Sequence, residues 1–250
     1  MEIIASPSPN FDERKHKVDM LVLHYTGMES GQAALDHMRS PEAKVSSHYM
    51  VWEDGRIDHL VAESRRAWHA GVSRWQGDED LNSRSIGIEI VNGGHDFPLP
   101  DGSLPPYPET QIQALIALCQ SILSNHEIPA SRIVAHSDIA PARKQDPGEH
   151  FPWQRLAEAG IGLWPDEDGT PNQDIDGQRL SPGDTNASVR RMQESLLGIG
   201  YGIEVTGTFD PLTEAIVRAF QRRWLPDRVS GTADLQTLRL IGMVRTLYAA

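Results

Sequence analysis

Residues 18–25, VDMLVLHY, constrain the fold more than any other stretch of the chain. The run is β-prone and apolar at both parities, so a strand here has to be covered on both faces, as in the centre of a layered sheet. Its neighbours fit that frame. RSIGIEIVN (84–92) alternates, with Ile86, Ile88 and Ile90 on one face and Gly87 and Glu89 on the other. SHYMVWEDGRIDHLV (47–61) reads as a hairpin turning at Asp54-Gly55, and SRIVAHS (131–137) as a short strand ending at His136. Between them, Ile112, Leu115, Ile116, Cys119, Ile122 and Leu123 form one helical stripe, preceded by Thr110 and Gln113 at capping-box spacing. Strands interleaved with helices predict an α/β layer, with functional side chains at strand ends and in the loops beyond.

Residues 165–183, PDEDGTPNQDIDGQRLSPG, offer only Ile175 and Leu180 as sizeable apolar side chains. Such a segment buries too little surface to offset its ordering entropy, and it reads as a linker between a domain at 1–164 and a smaller one at 184–250. The smaller piece is predicted to be all-α with three helices. Val189, Met192 and Leu196 mark the first, closing near Gly198 and Gly200. Asp210-Pro211 starts the second, with Leu212, Ile216, Ala219 and Phe220 on one side, and Leu235 and Leu238 belong to the third. A unit of this kind suits binding better than catalysis.

The formal net charge of −12 argues against a nucleic-acid partner whose affinity would come from phosphate neutralisation. No apolar run approaches the roughly 18 residues that a membrane span needs. The first residues, MEIIASPSPNFDERKHK, hold no apolar segment of signal-peptide length, so the expectation is a cytoplasmic protein. The single cysteine, Cys119, excludes an internal disulfide and is read as helix packing.

Chemistry concentrates in AHSDIAPARKQDPG (135–148) and in two strand ends. His24 and His136 each close an apolar strand, where a side chain leaves the core and faces whatever the loops enclose. With Asp146 they make two imidazoles and one carboxylate, a three-ligand set suited to catalytic Zn²⁺ with one position left open. Glu89 would exchange the proton of a metal-bound water, and Lys144 would steady a developing oxyanion. Taken singly, each has an ordinary reading: core histidines, a strand-edge carboxylate, a loop lysine. His16, His37, His59, His95, His126 and His150 lie in polar or turn-like surroundings and are read as solvated.

The motifs LVLHYTG, SSHYMV, RAWHAGVS, LNSRSIGIEIVN and VAHSDIAPARKQDPG, in this order over residues 18–164, resemble the zinc-dependent N-acetylmuramoyl-L-alanine amidases of the AmpD/AmiD type. That family shares its fold with T7 lysozyme and the peptidoglycan recognition proteins. The resemblance implies a central mixed β-sheet flanked by helices, Zn²⁺ on His24, His136 and Asp146, Glu89 as acid/base and Lys144 assisting. It implies that Trp68 and His69 line the substrate groove and that His48 supports the sheet near the site. SVRRMQESLLGIGYGIEVTGTFDPLTEAIVRAFQRRW is similar to the three-helix peptidoglycan-binding domain of wall hydrolases, with a looser fit after Trp224. The expected reaction is cleavage of the amide between N-acetylmuramic acid, or its anhydro form, and L-alanine. Its alternative is peptidoglycan recognition without cleavage. A wall-binding module also makes the periplasm the alternative compartment.

Overall fold

A computed structural model describes residues 3–165 and 179–249. Eight strands and seven α-helices follow one another along these residues: β1 (Ile3–Ala5), β2 (Phe11–Glu13), β3 (Met20–Tyr25), α1 (Gly31–Arg39), β4 (Tyr49–Val51), β5 (Ile57–His59), β6 (Arg65–Ala67), β7 (Ser85–Ile90), α2 (Glu109–Asn125), β8 (Ile133–Ala135), α3 (His136–Ile139), α4 (Trp153–Glu158), α5 (Ala187–Ile199), α6 (Pro211–Trp224) and α7 (Leu235–Leu247). Six strands form one mixed sheet in the order β1-β5-β4-β7-β3-β8, and β2 pairs with β6 apart from it. β3 is an interior strand, as its double-sided apolar pattern requires, lying next to the edge strand β8 and running parallel to both β7 and β8. β4 and β5 form the expected hairpin, with Gly55 at φ +88° in its turn.

Parity divides the sheet's two faces. Leu21, Leu23, Ile86, Ile88, Ile90, Ile133 and Ala135 point to one side and pack on Ile112, Leu115, Leu118, Cys119 and Ile122 of α2. Cys119 is fully buried there, as packing. The other side carries Met20 and Val22 of β3 and Val134 of β8, and these share a core with the C-terminal helices.

Two boundaries differ from expectation, and the close of the first C-terminal helix falls where expected. α2 begins at Glu109 behind Pro108 with no side-chain cap, because the Thr110 hydroxyl donates to the Glu53 carbonyl instead. Residues 166–178, most of the segment read as a linker and including Ile175, lie outside the described residues. Its last part belongs to the helical unit: Leu180 is buried and exchanges both backbone hydrogen bonds with Ala233, and Gly183 N–H donates to Phe209 O. Leu180 and its β-bridge partner Ala233 tie residues 180–183 to the helices, although composition alone assigned them to solvent. Gly198 lies inside α5, and Gly200, at φ +134°, closes it.

Candidate metal centre

β3, β7 and β8 end at the same edge of the sheet. His24 is in register with Glu89, and Ala135 with Leu23, so His136, one residue past β8, emerges beside His24. The chain then turns back through 137–146, held by Ser137 N–H donating to Asp146 O at 3.0 Å. This closure brings three ligand atoms together. Nδ1 of His24 lies 2.9 Å from Nδ1 of His136 and 2.9 Å from Oδ2 of Asp146, and Nδ1 of His136 lies 3.0 Å from the same oxygen. All three residues are buried.

Three lone pairs converging in a buried spot are what a cation satisfies, and two imidazoles with one carboxylate are a donor set that could hold a metal ion. The far side of each imidazole supports this fit. With Nδ1 turned to the focus, His24 carries its proton on Nε2 and donates to Nδ1 of His69 at 3.0 Å. His69 in turn faces Ser85 Oγ at 3.1 Å through Nε2, and Ser85 donates to Leu81 O at 2.7 Å. His136 donates from Nε2 to Ala70 O at 3.2 Å. Both ligand rings are thus held in one tautomer by outer partners, as metal-binding histidines ordinarily are.

The RAWHAG segment therefore does two jobs. Trp68 borders the cleft above the ligands. His69, only 9% exposed, also borders it, as expected, and both its ring nitrogens are engaged, one with His24 and one with Ser85. Asn82 clamps the segment, its Oδ1 accepting the N–H groups of His69 at 3.0 Å and Ala70 at 2.7 Å. Gly87 leaves room for the ring: a Cβ there would stand 2.5 Å from His69 Cγ. His48 sits on the sheet as expected, accepting from Gly87 N–H at 3.0 Å on Nδ1.

The cleft measures about 500 Å³, and Glu89, Lys144 and Trp68 line it together with the three ligands. Oε2 of Glu89 is shielded from solvent and has no hydrogen-bond partner. Burial, then the charge of Asp146, pushes the Glu89 carboxyl well above the usual carboxylate range. Burial would raise the Asp146 carboxyl too, but the charge and hydrogen bonds of His136 and His24 outweigh it and hold it low. Burial and the neighbouring His136 lower His24 to about 4, so its imidazole is neutral and free to ligate.

Sequence reasoning treated six further histidines as solvated, and for four of them that was too simple. His95 bridges Tyr25 and Glu149, His126 pairs with Glu63, His150 stacks on Tyr107, and His59 stacks on Tyr49. Only His16 and His37 of the six are exposed. Asn82, Ser85 and the Ala70 carbonyl carried no signal, because each acts through a backbone or a long-range contact.

The family model described as N-acetylmuramoyl-L-alanine amidase matches residues 14–149, and one described as putative peptidoglycan binding domain matches residues 185–241. N-acetylmuramoyl-L-alanine amidase AmiD of Escherichia coli is 37% identical over 231 residues, covering 88% of this chain and 80% of that one. The 1,6-anhydro-N-acetylmuramyl-L-alanine amidase AmpD of Haemophilus influenzae is 34% identical, over 59% of this chain and 86% of its own. Among solved structures, AmiD from E. coli in complex with anhydro-N-acetylmuramic acid-L-Ala-D-γ-Glu-L-Lys superposes with a TM-score of 0.80 at 35% identity, covering 92% of this chain and 90% of that one. AmpDh3 from Pseudomonas aeruginosa superposes at 0.77 and 33% identity, covering 93% of both chains. With both lobes matched, the chain belongs to the N-acetylmuramoyl-L-alanine amidase family.

Proposed function

We propose that this protein is a Zn²⁺-dependent hydrolase of the amide joining the lactyl carbonyl of N-acetylmuramic acid, in its ordinary or 1,6-anhydro form, to L-alanine of the stem peptide. One observation carries the reading. Nδ1 of His24, Nδ1 of His136 and Oδ2 of Asp146 converge within 3.0 Å, in a cleft where Glu89 keeps one carboxylate oxygen unpartnered. The relatives named above supply the substrate class, since AmiD was solved with an anhydromuramyl peptide and so was AmpDh3.

His24, His136 and Asp146 would hold the ion, which when bound supplies a Lewis acid for the scissile carbonyl and acidifies its water. Glu89 takes the water's proton and passes it to the departing amine. Burial and the charge of Asp146 raise the Glu89 carboxyl above the ordinary carboxylate range, which favours holding the proton until the amine departs. Lys144 lines the same cleft and places a positive charge where the carbonyl oxygen gains negative charge. Trp68 gives the cleft an apolar wall against which the substrate orders.

The test is mass spectrometry of anhydromuramyl peptide and of intact sacculi, each incubated with the protein with and without a zinc chelator. Free stem peptide that disappears with chelator is the expected result, and Glu89→Gln should lose turnover while keeping its metal. Binding to sacculi without any released peptide would instead support recognition without cleavage.

A further inference from the structure

The C-terminal helices do not hang from the catalytic lobe; they form its back wall. Asp138, two residues after His136, is buried. Its Oδ1 accepts from Tyr201 OH at 2.8 Å, and its Oδ2 from Arg223 Nη1 at 2.8 Å and from Ala135 N–H at 2.9 Å. Arg223 also donates to Ile133 O at 3.1 Å and lies 4.1 Å over the Trp153 ring. Both charged side chains are only 1% exposed, so neither has water as an alternative partner.

The preceding residue of α6 reaches the other end of the same loop. Arg222 Nη2 donates to Gln145 Oε1 at 2.9 Å, and its Nε lies 3.8 Å from Glu149 Oε2. Gln145 directly precedes Asp146. Tyr201 packs edge-on against Trp75 at 5.1 Å, and Gln76 N–H donates to Gly200 O, so the contact continues into one apolar core with Met20, Val22 and Val134. An adhesive module on a tether needs none of this. It would face its neighbour with solvated side chains, not with a buried arginine aimed at the turn that carries a metal ligand.

We propose that Tyr201, Arg222 and Arg223 are positioning residues for the amide-hydrolysing site: the helical unit fixes the backbone at His136 and Asp146, and thereby sets metal affinity and turnover independently of any wall binding. The proposal rests on the metal-dependent reading above.

The full chain is tested as Tyr201→Phe, Arg222→Gln and the double variant. Tyr201→Phe removes one hydroxyl and keeps the ring on Trp75, and Arg222→Gln releases the other end of the loop. Arg223→Lys, which keeps the charge, is the conservative partner. Leu235→Ala, at an exposed position of α7, is the control. Three quantities are read: the Zn²⁺ dissociation constant by chelator competition, kcat and KM on a soluble anhydromuramyl peptide, and the fraction pelleted with sacculi. The expected result is Zn²⁺ binding weakened about tenfold in the double variant, with kcat lowered and KM and pelleting unchanged. Arg223→Lys keeps a charge for Asp138 but loses the second donor to Ile133 O, so its affinity should fall between wild type and the double variant, and Leu235→Ala should retain all of it. Zn²⁺ affinity and kcat within twofold of wild type in the double variant would overturn the proposal, and so would a loss confined to melting temperature. If the zinc-loaded wild type releases no peptide, the amidase reading fails, while the zinc titration still decides the positioning role.

Discussion

Gly87→Ala turns the support of the metal ligand into a measurable quantity. On intrinsic preference the change should help, since glycine within a strand costs roughly 0.5–1 kcal/mol relative to alanine. Gly87 is not among the glycines with positive φ, so alanine meets no backbone obstacle. Its Cβ, however, would stand 2.5 Å from Cγ and Nδ1 of His69 and 2.6 Å from Cδ2. Carbon atoms rest at about 3.5–4.0 Å, so the ring has to retreat by roughly an ångström. It has no free direction, because Nδ1 is bonded to His24 at 3.0 Å and Nε2 to Ser85 at 3.1 Å. Overpacking of this kind costs about 1–3 kcal/mol, which exceeds the gain and reverses its sign. Losing the outer partner of His24 should also weaken Zn²⁺ binding by about 10–100-fold. Urea unfolding of the metal-free protein measures the first effect and chelator competition the second. A Gly87→Ala variant as stable as wild type, with unchanged zinc affinity, would refute the view that this glycine exists to admit the His69 ring.

Asn82→Ala leaves the buried N–H groups of His69 and Ala70 without an acceptor, and should cost about 2–4 kcal/mol in urea unfolding. Glu89 binds its proton more tightly folded than unfolded, so above the unfolded pKa of 4.5 the folded state loses stability as pH rises. Metal-free Glu89→Gln should therefore gain on wild type between pH 5 and pH 8, and a constant difference would contradict the raised carboxyl. Burial lowers His24 to about 4, His48 to about 3 and His69 well below 6.5. Each contributes stability that is complete above pH 6.5 and is lost as pH falls toward the folded values, by at most about 1.4 kcal/mol per pH unit. Replacing His48 with Gln should flatten that acid limb in a series of denaturant titrations.

What the sequence made legible was whatever local periodicity encodes. VDMLVLHY had to be interior because it is apolar at both parities, and RSIGIEIVN announced by alternation that Glu89 shares a face with Gly87. His24 and His136 were readable because they stand at strand ends, where the pattern itself says that a side chain leaves the core, and Asp146 because it follows His136 in the same short loop. The purpose of Gly87 was not readable: the room it makes is taken by His69, eighteen positions earlier, and no spacing rule links a strand glycine to a ring on a distant loop. That His69 holds His24 was unreadable for the same reason, since a motif says which residues recur together but not which way each ring turns. The strands β1, β2 and β6 are mostly exposed or half-buried, so core packing leaves in them no pattern of the kind that marked the equally short but buried β4 and β8.

The union of the two lobes follows from one face of the sheet. Along β3 the residues on that face run Met20, Val22, His24, and along β7 they run Ser85, Gly87, Glu89. The apolar beginning needs a cover, and Phe220, Trp224 and Tyr201 supply it together with Trp75. The polar end has to stay open for substrate, so the cover stops where His24 and Glu89 begin. A helical unit placed there borders the loop from His136 to Asp146, because that loop starts at the end of β8 on the same side. Burying the base of the sheet and bracing the metal ligands are therefore one geometric requirement. Arg223 meets it by reaching Asp138 across the same interface that Phe220, one turn earlier on α6, seals with carbon.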